Sequence, residues 1–525
     1  MPYSLSMLIL LSRSGRIFNL SLLQRNQLSL HIALAIPKAC YSSIISIKLL
    51  IMKIWKNLMS GFLSLTMVAL IVASISSCND DEDTPKPTQS IVALAQGQTN
   101  LSFLVTALTK YPDLVALLNG SGNFTVFAPT NDAFTALLSA VGQTSIDDVP
   151  EDVLKSLLQY HVVTSGAVLS TQLTAGNVLT ANTENIAVTV SGGIRLNGST
   201  QVVTADVLAT NGVVHIVDQV LVPASIGQFV NTIVEPAYFN KNFTTLIAAV
   251  KAASPSILET LLNDDKKTLF APDNNAFTVA GISATALPAR ATLDAVLGYH
   301  VIGSEIRAAQ LPTNTAPANS EVTTLNGKFY LSNRGTTGVF INGTTKVTAT
   351  DIIADNGVVH VIDRTLMPPS QTIGGIATSL SQATTAPQFT QLVAALGRVP
   401  ALLEAASSAD SKLTVFAPTD AAFEALYDAL EVDGINDIEI GLLTAVLQHH
   451  IVSAPTTATG KVFSTDLVNG AVPTLNGDVT ISATNGTVTS SGGTVAQLSG
   501  TAALLNVLGT NGVIHTINAV LVPGD

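Results

Sequence analysis

Two sequence boxes, each occurring three times in the same order, restrict this chain more than any other feature. Thr125-Val126-Phe127-Ala128-Pro129-Thr130 returns as Thr268-Leu269-Phe270-Ala271-Pro272-Asp273 and as Thr414-Val415-Phe416-Ala417-Pro418-Thr419, at offsets of 143 and 146 residues. Asn211-Gly212-Val213-Val214-His215 returns as Asn356-Gly357-Val358-Val359-His360 and as Asn511-Gly512-Val513-Ile514-His515, at offsets of 145 and 155. Periods this long mean whole domains in tandem, because solenoid repeats run to only about 20–50 residues. The chain is therefore expected to fold as three compact modules, each with its own core.

Each unit reads as helices followed by strands. Leu101, Leu104, Val105 and Leu108 have the i, i+3, i+4, i+7 spacing of one apolar helix face. Phe243, Leu246, Ile247 and Val250 repeat it, as do Phe389, Leu392, Val393 and Leu396. Pro112, Pro255 and Pro400 interrupt that stripe and are expected to open a second short helix. The Thr-Val-Phe-Ala segment predicts a buried strand stopped by proline. Thr130, Asp273 and Thr419 suit the N-cap of the helix that follows, where a side-chain oxygen accepts an otherwise unpaired backbone N–H. In the second unit the stripe decays after Phe277 into Ala280-Gly281, so this helix should be shorter. A further stripe ends at His161, His300 and His450. The tail of each unit is rich in Val, Thr and Asn-Gly, which predicts strands joined by tight turns. The closing strand around Val213 to Val217 is apolar on both faces and should be central. Helices first and strands later give an α+β fold.

The Thr-Val-Phe-Ala-Pro box, the Tyr-His pairs Tyr160-His161 and Tyr299-His300, and the Asn-Gly-Val-Val-His box together resemble the fasciclin domain. The resemblance covers about residues 88–525 and implies three tandem fasciclin-like domains, each a wedge of β-sheet with packed helices. The expected boundaries are 88–223, 224–369 and 370–525. The resemblance also implies extracellular adhesion, with a cell-surface or matrix protein or a polysaccharide as partner. In animal relatives the Tyr-His region is tied to integrin binding; here the third unit departs from it with His449-His450, and the chain has no Arg-Gly-Asp triplet.

The N-terminus reads as an address. Residues 58–77 are uncharged and mostly apolar, follow Lys53 and Lys56, and end in Ile75-Ser76-Ser77-Cys78. This is the layout of a secretory signal over residues 52–78, and its end resembles a bacterial lipobox with Cys78 as the lipidated residue. Acidic residues over 79–87 resemble the export tag of Bacteroidetes surface lipoproteins. The expected location is the outer membrane, surface-exposed and held by the N-terminal lipid, with a periplasm-facing lipoprotein as the alternative. An uncleaved membrane-spanning helix is the competing reading of the apolar stretch, since about 20 apolar residues span a bilayer. Residues 1–51 read as a non-native N-terminal extension ahead of a start at Met52.

Charge narrows the function classes. Residues after 78 carry 17 basic and 36 acidic side chains, a balance that repels phosphate backbones and argues against nucleic-acid binding. Seven of the eight histidines lie in the units, which invites a metal reading. His215 and Asp218, or His360 and Asp363, are three apart on a strand and so point to opposite faces, and Asn518 replaces the acid in the third unit. His161, His215, His300, His360, His450 and His515 are therefore read as buried structural residues, with no metal and no cofactor. Tyr160 and Tyr299 sit one residue off the apolar stripe and are expected to be partly exposed as possible partner contacts. The chain has no Gly-x-Ser-x-Gly elbow, His-Glu-x-x-His helix or phosphate loop, and its only cysteines are Cys40 and Cys78, so catalysis is not expected.

Overall fold

A computed structural model of the protein describes residues 86–313, 316, 318–453, 459–501 and 504–524. The expectations for residues 1–85, including the signal and Cys78, lie outside the described residues. Among those described, no helix is long and apolar enough to cross a membrane.

In each unit the strand of the first box lies parallel to the strand of the second. Phe124–Pro129 pairs with Gly212–Val217, Lys267–Pro272 with Gly357–Ile362, and Leu413–Pro418 with Gly512–Ile517. Two segments about 90 residues apart thus lie side by side, both interior to the sheet in the first two units, while in the third the first-box strand stands at the edge of a three-stranded sheet. The first two units each carry a seven-stranded sheet. Its ten-residue strand, Thr200–Ala209 or Thr345–Ala354, breaks register midway. Asp206 and Asp351 take positive φ there, 61° and 59°, so the strand bends and serves both halves of the wedge. In the third unit the sheet divides into three-stranded and four-stranded parts.

The helical signals act as read. Pro112, Pro255 and Pro400 each occupy the first turn of an eight-residue helix, where a missing N–H costs nothing. Thr130, Asp273 and Thr419 accept the backbone N–H of Ala133, Ala276 and Ala422. The helix after the second cap runs only from Asn274 to Val279, against Asn131–Ala140 and Asp420–Leu430 in the other units.

The core departs from three independent modules. One apolar cluster runs through the helical sides of the first and second units. The segment after Pro223 folds into two short helices, Ala224–Gly227 and Glu235–Tyr238, and buries Phe229, Ile233, Val234 and Phe239 in that cluster. Phe229 stacks on Tyr238 with ring centroids 4.4 Å apart. Burying side chains of this size stabilises by about 1.5–3 kcal/mol each, so the first two units are held as one body. The sheet side of each unit retains a separate core, around Phe127 in the first, Phe270 in the second and Phe416 in the third.

Candidate functional site

The second box is built around its asparagine. Asn211 donates from Nδ2 to the carbonyls of Leu118 and Gly120 and accepts from the backbone N–H of Ile91. Asn356 does the same for Leu261, Asn263 and Ile233, and Asn511 for Ala406, Ser408 and Ile373. These residues read as turn formers in the sequence; in the fold each also ties the end of one helix to the start of another. The glycine that follows is required by close approach. A Cβ on Gly212 would lie 2.2 Å from the Phe124 carbonyl, and one on Gly357 would lie 2.0 Å from that of Lys267. Replacing Asn211 with Ala strands two carbonyls and one N–H in a buried site, and chemical denaturation should register a loss of about 2–4 kcal/mol. A loss under half a kcal/mol (roughly that of an exposed substitution) would refute the clamp.

Two kinds of histidine follow from the backbone around them. At the helix end, the Leu221 N–H donates to His161 Nε2 at 2.9 Å, so the ring proton is on Nδ1 and donates to the Leu157 carbonyl at 2.7 Å. His300 lies between Val296 and Leu366, and His450 between Val446 and Leu521, in the same geometry. Burial holds all three well below the usual imidazole range, at about 4, against the raising effect of the carbonyl bond. On the central strand the proton is on the other nitrogen. Asp206 N–H donates to His215 Nδ1, and His215 Nε2 donates to the Val168 carbonyl. His360 repeats this with Asp351 and Ile306. His515 keeps the carbonyl bond, to Val462, but among the described residues its Nδ1 has no partner.

Asp218 and Asp363 accept the N–H of Gln201 and Lys346 on the neighbouring strand, a task Asn518 performs equally for Gln497. That is why an amide can replace the acid. Among the described residues, no group of three or more His, Cys, Asp or Glu side chains is placed to hold a metal ion.

Tyr160 and Tyr299 require a correction. Both are buried, at 2% and 0% exposure. Their hydroxyls donate to the carbonyls of Asn185 and Lys328 and accept from Asn197 and Asn342, and burial raises both above the ordinary phenol range. The stripe offset that suggested exposure instead turns each ring from the helical core into the sheet core. His449 takes this place in the third unit and bonds through Nδ1 to the Asn476 carbonyl.

The seam between the second and third units went unread in the sequence. Asp466, fully buried, accepts from Asn319, Ser332 and Arg334 of the second unit and from the backbone N–H of Phe463 in its own. Tyr330 packs on Phe463 at 5.7 Å, and the Lys461 ammonium lies 4.9 Å from the centre of the Tyr330 ring. Burial holds that ammonium below the usual lysine range. A signal was present: Gln172 and Gln310 occupy the position of Asp466 in the other units, each accepting the N–H three residues earlier, and both are exposed. The third unit alone has a carboxylate there.

With this geometry in view, comparison with known proteins is decisive. The Fasciclin domain family profile matches residues 99–223, 241–368 and 387–523. The chain belongs to the fasciclin-domain family. It is 28% identical over 383 residues to human periostin, covering 70% of this chain and 40% of that protein. It is 30% identical over 344 residues to pig transforming growth factor-beta-induced protein ig-h3, covering 64% and 45%. Protein sll1483 of Synechocystis is 42% identical over 135 residues, 26% of this chain and 73% of its own. The chain thus spans less than half the length of the two animal relatives. A solved FAS1 domain pair from the insect cell adhesion molecule fasciclin I aligns over 54% of this chain and 97% of its own, at 17% identity and a TM-score of 0.24. In this chain the fasciclin boxes are framework: their asparagines and histidines bond chiefly to the backbone.

Proposed function

We propose that this fasciclin protein is a non-catalytic adhesion or matrix-attachment protein, displayed at the cell surface and anchored through lipid on Cys78. The observation that carries this reading is three fasciclin domains in one chain whose box histidines and tyrosines are enclosed and occupied by backbone partners. Groups so committed are unavailable as general bases or nucleophiles, and binding surface is what three such frameworks offer. Periostin and ig-h3 share the domain over long stretches, and the name of the insect protein includes cell adhesion. Three domains on one tether raise avidity through effective concentration when their sites engage together.

A second reading, attachment of the surface to polysaccharide, is favoured by a cleft between the second and third units whose lining sets Arg364 and threonine hydroxyls beside apolar side chains. Deleting the coding region and scoring attachment to matrix and to neighbouring cells tests the adhesion reading, with reduced attachment expected and unchanged attachment refuting it. Replacing Cys78 with Ser should move the protein from the membrane fraction to the soluble fraction. Full retention in membranes would refute the lipid anchor.

A further inference from the structure

The second and third units enclose a cleft of about 440 Å³. That is within the range of about 300–1,000 Å³ typical of small-ligand sites. It opens where the chain crosses from one unit to the next, so both units and the crossing segment, which includes Ser370, contribute to its wall. Its lining combines three chemistries. Arg364 is the charged member, and among the described residues its guanidinium has neither a hydrogen-bond partner nor an ion-pair partner. The hydroxyls of Thr344 and Thr345 likewise make no hydrogen bond among the described residues. Val279 and Met367, 64% and 49% exposed, supply an apolar flank.

Unused polar groups are uncommon in this protein, where box asparagines, histidines and N-caps are matched almost one for one with backbone partners. In the same lining the Thr365 hydroxyl is buried without a partner among the described residues, which costs about 1–3 kcal/mol, and the Thr344 and Thr345 hydroxyls are open to a ligand hydroxyl. A guanidinium presents a planar fork of donors that fits a carboxylate with two parallel bonds. The chain as a whole is acidic, with 36 Asp and Glu against 24 Lys and Arg, and Arg364 is the one charged residue of this lining, so it directs an anionic group to one place. The charge of the rest of the chain acts only weakly beyond about 8–10 Å at physiological salt. One cation among neutral hydroxyl groups, with an apolar flank, matches one carboxylate among hydroxyls on a ring with a C–H face.

A peptide fits less well. The strands bordering the cleft, Val339–Ile341 and Thr345–Ala354, are interior to the seven-stranded sheet and offer no free edge for a peptide backbone.

We propose that this cleft binds a uronic-acid unit of an acidic polysaccharide, with Arg364 on the carboxylate and Thr344 and Thr345 on ring hydroxyls. The assignment deepens the polysaccharide reading above and rests on it.

The test is calorimetric titration of the full chain with digalacturonate, its neutral dimethyl ester and a triglutamate peptide. Digalacturonate should bind, the ester should bind at least tenfold more weakly, and triglutamate should not compete. Arg364→Gln should weaken digalacturonate binding at least tenfold with an unchanged unfolding midpoint, and Arg364→Lys should fall between. Thr345→Val removes a hydroxyl with no internal partner; it should keep or raise the midpoint while weakening binding several-fold. Equal binding of the acid and its ester, unchanged binding by Arg364→Gln, or stronger binding of triglutamate overturns the assignment. A glycan array with signals from neutral sugars and none from uronates also overturns it and leaves the polysaccharide reading standing. Silence across the array removes both.

Discussion

Lowering the pH from about 7 to about 4.5 should destabilise the folded chain steeply, beginning above the range in which its carboxylates titrate. The cause is four imidazoles, His161, His300, His450 and His515, that burial holds at about 4. In the unfolded chain each returns to about 6.5. A base whose folded pKa is depressed binds fewer protons in the native state. Its stabilising contribution is therefore complete above the unfolded value and is lost as the pH falls through the window from about 6.5 to about 4. The full window corresponds to about 3 kcal/mol per histidine, an upper figure because local opening admits water before the whole chain unfolds. Glu235 acts in the other direction, since burial raises it, but it is a single group and its window lies at the acid end. The measurement is urea unfolding from pH 7 to pH 4.5 (about ten steps), with proton uptake on unfolding read from the slope. Uptake from the four rings should peak at about three to four protons near about pH 5 and decline towards about pH 4.5 as the native rings begin to protonate. Stability that stays flat across this range would show that the rings are not held neutral by the fold.

Replacing Asp466 with Ala should cost about 3–5 kcal/mol, the range for leaving one partner of a buried ion pair uncompensated. Arg334 retains a bond from Nε to the Thr465 carbonyl, but the hydroxyl of Ser332 and the amide of Asn319 lose their carboxylate partner. The unfolding curve should separate into two steps, because the bonds that close the seam are lost while the apolar cores of the third unit stay intact. Pairing Asp466→Leu with Arg334→Met should recover only part of the loss. An apolar pair can replace an isolated buried ion pair, but here one N–H of Asn319, the Ser332 hydroxyl and the Phe463 N–H would lose the carboxylate they bond. Gln172→Ala, at the matching exposed position of the first unit, should change stability by less than about 0.5 kcal/mol. A loss below about 1 kcal/mol for Asp466→Ala would show that the seam contributes little to fixing the two units.

Much of the framework was legible because its causes are local or repeated. Proline at a helix start, threonine or aspartate at a cap, and a strand apolar on both faces each act through neighbours a few residues away. Finding them three times removed the ambiguity of any single occurrence. The enclosed histidines were legible for the same reason, since they continue an apolar stripe to its end. Tyr160 and Tyr299 were misplaced because a helix has more than one buried side when a sheet core adjoins its end. The stripe reports the helical core and is silent about the second one.

The amino-acid sequence alone determined that this protein is three α+β fasciclin units in tandem, because periodicity, capping and box repetition are properties of short segments. Only the tertiary structure decided that the first two units share one apolar cluster, that Asp466 locks the third to the second, and that Arg364, unpaired among the described residues, lines the cleft between them. Those facts depend on residues more than a hundred positions apart, such as Ser332 and Asp466, meeting at one point. No local pattern encodes such a meeting; the packing of whole domains does.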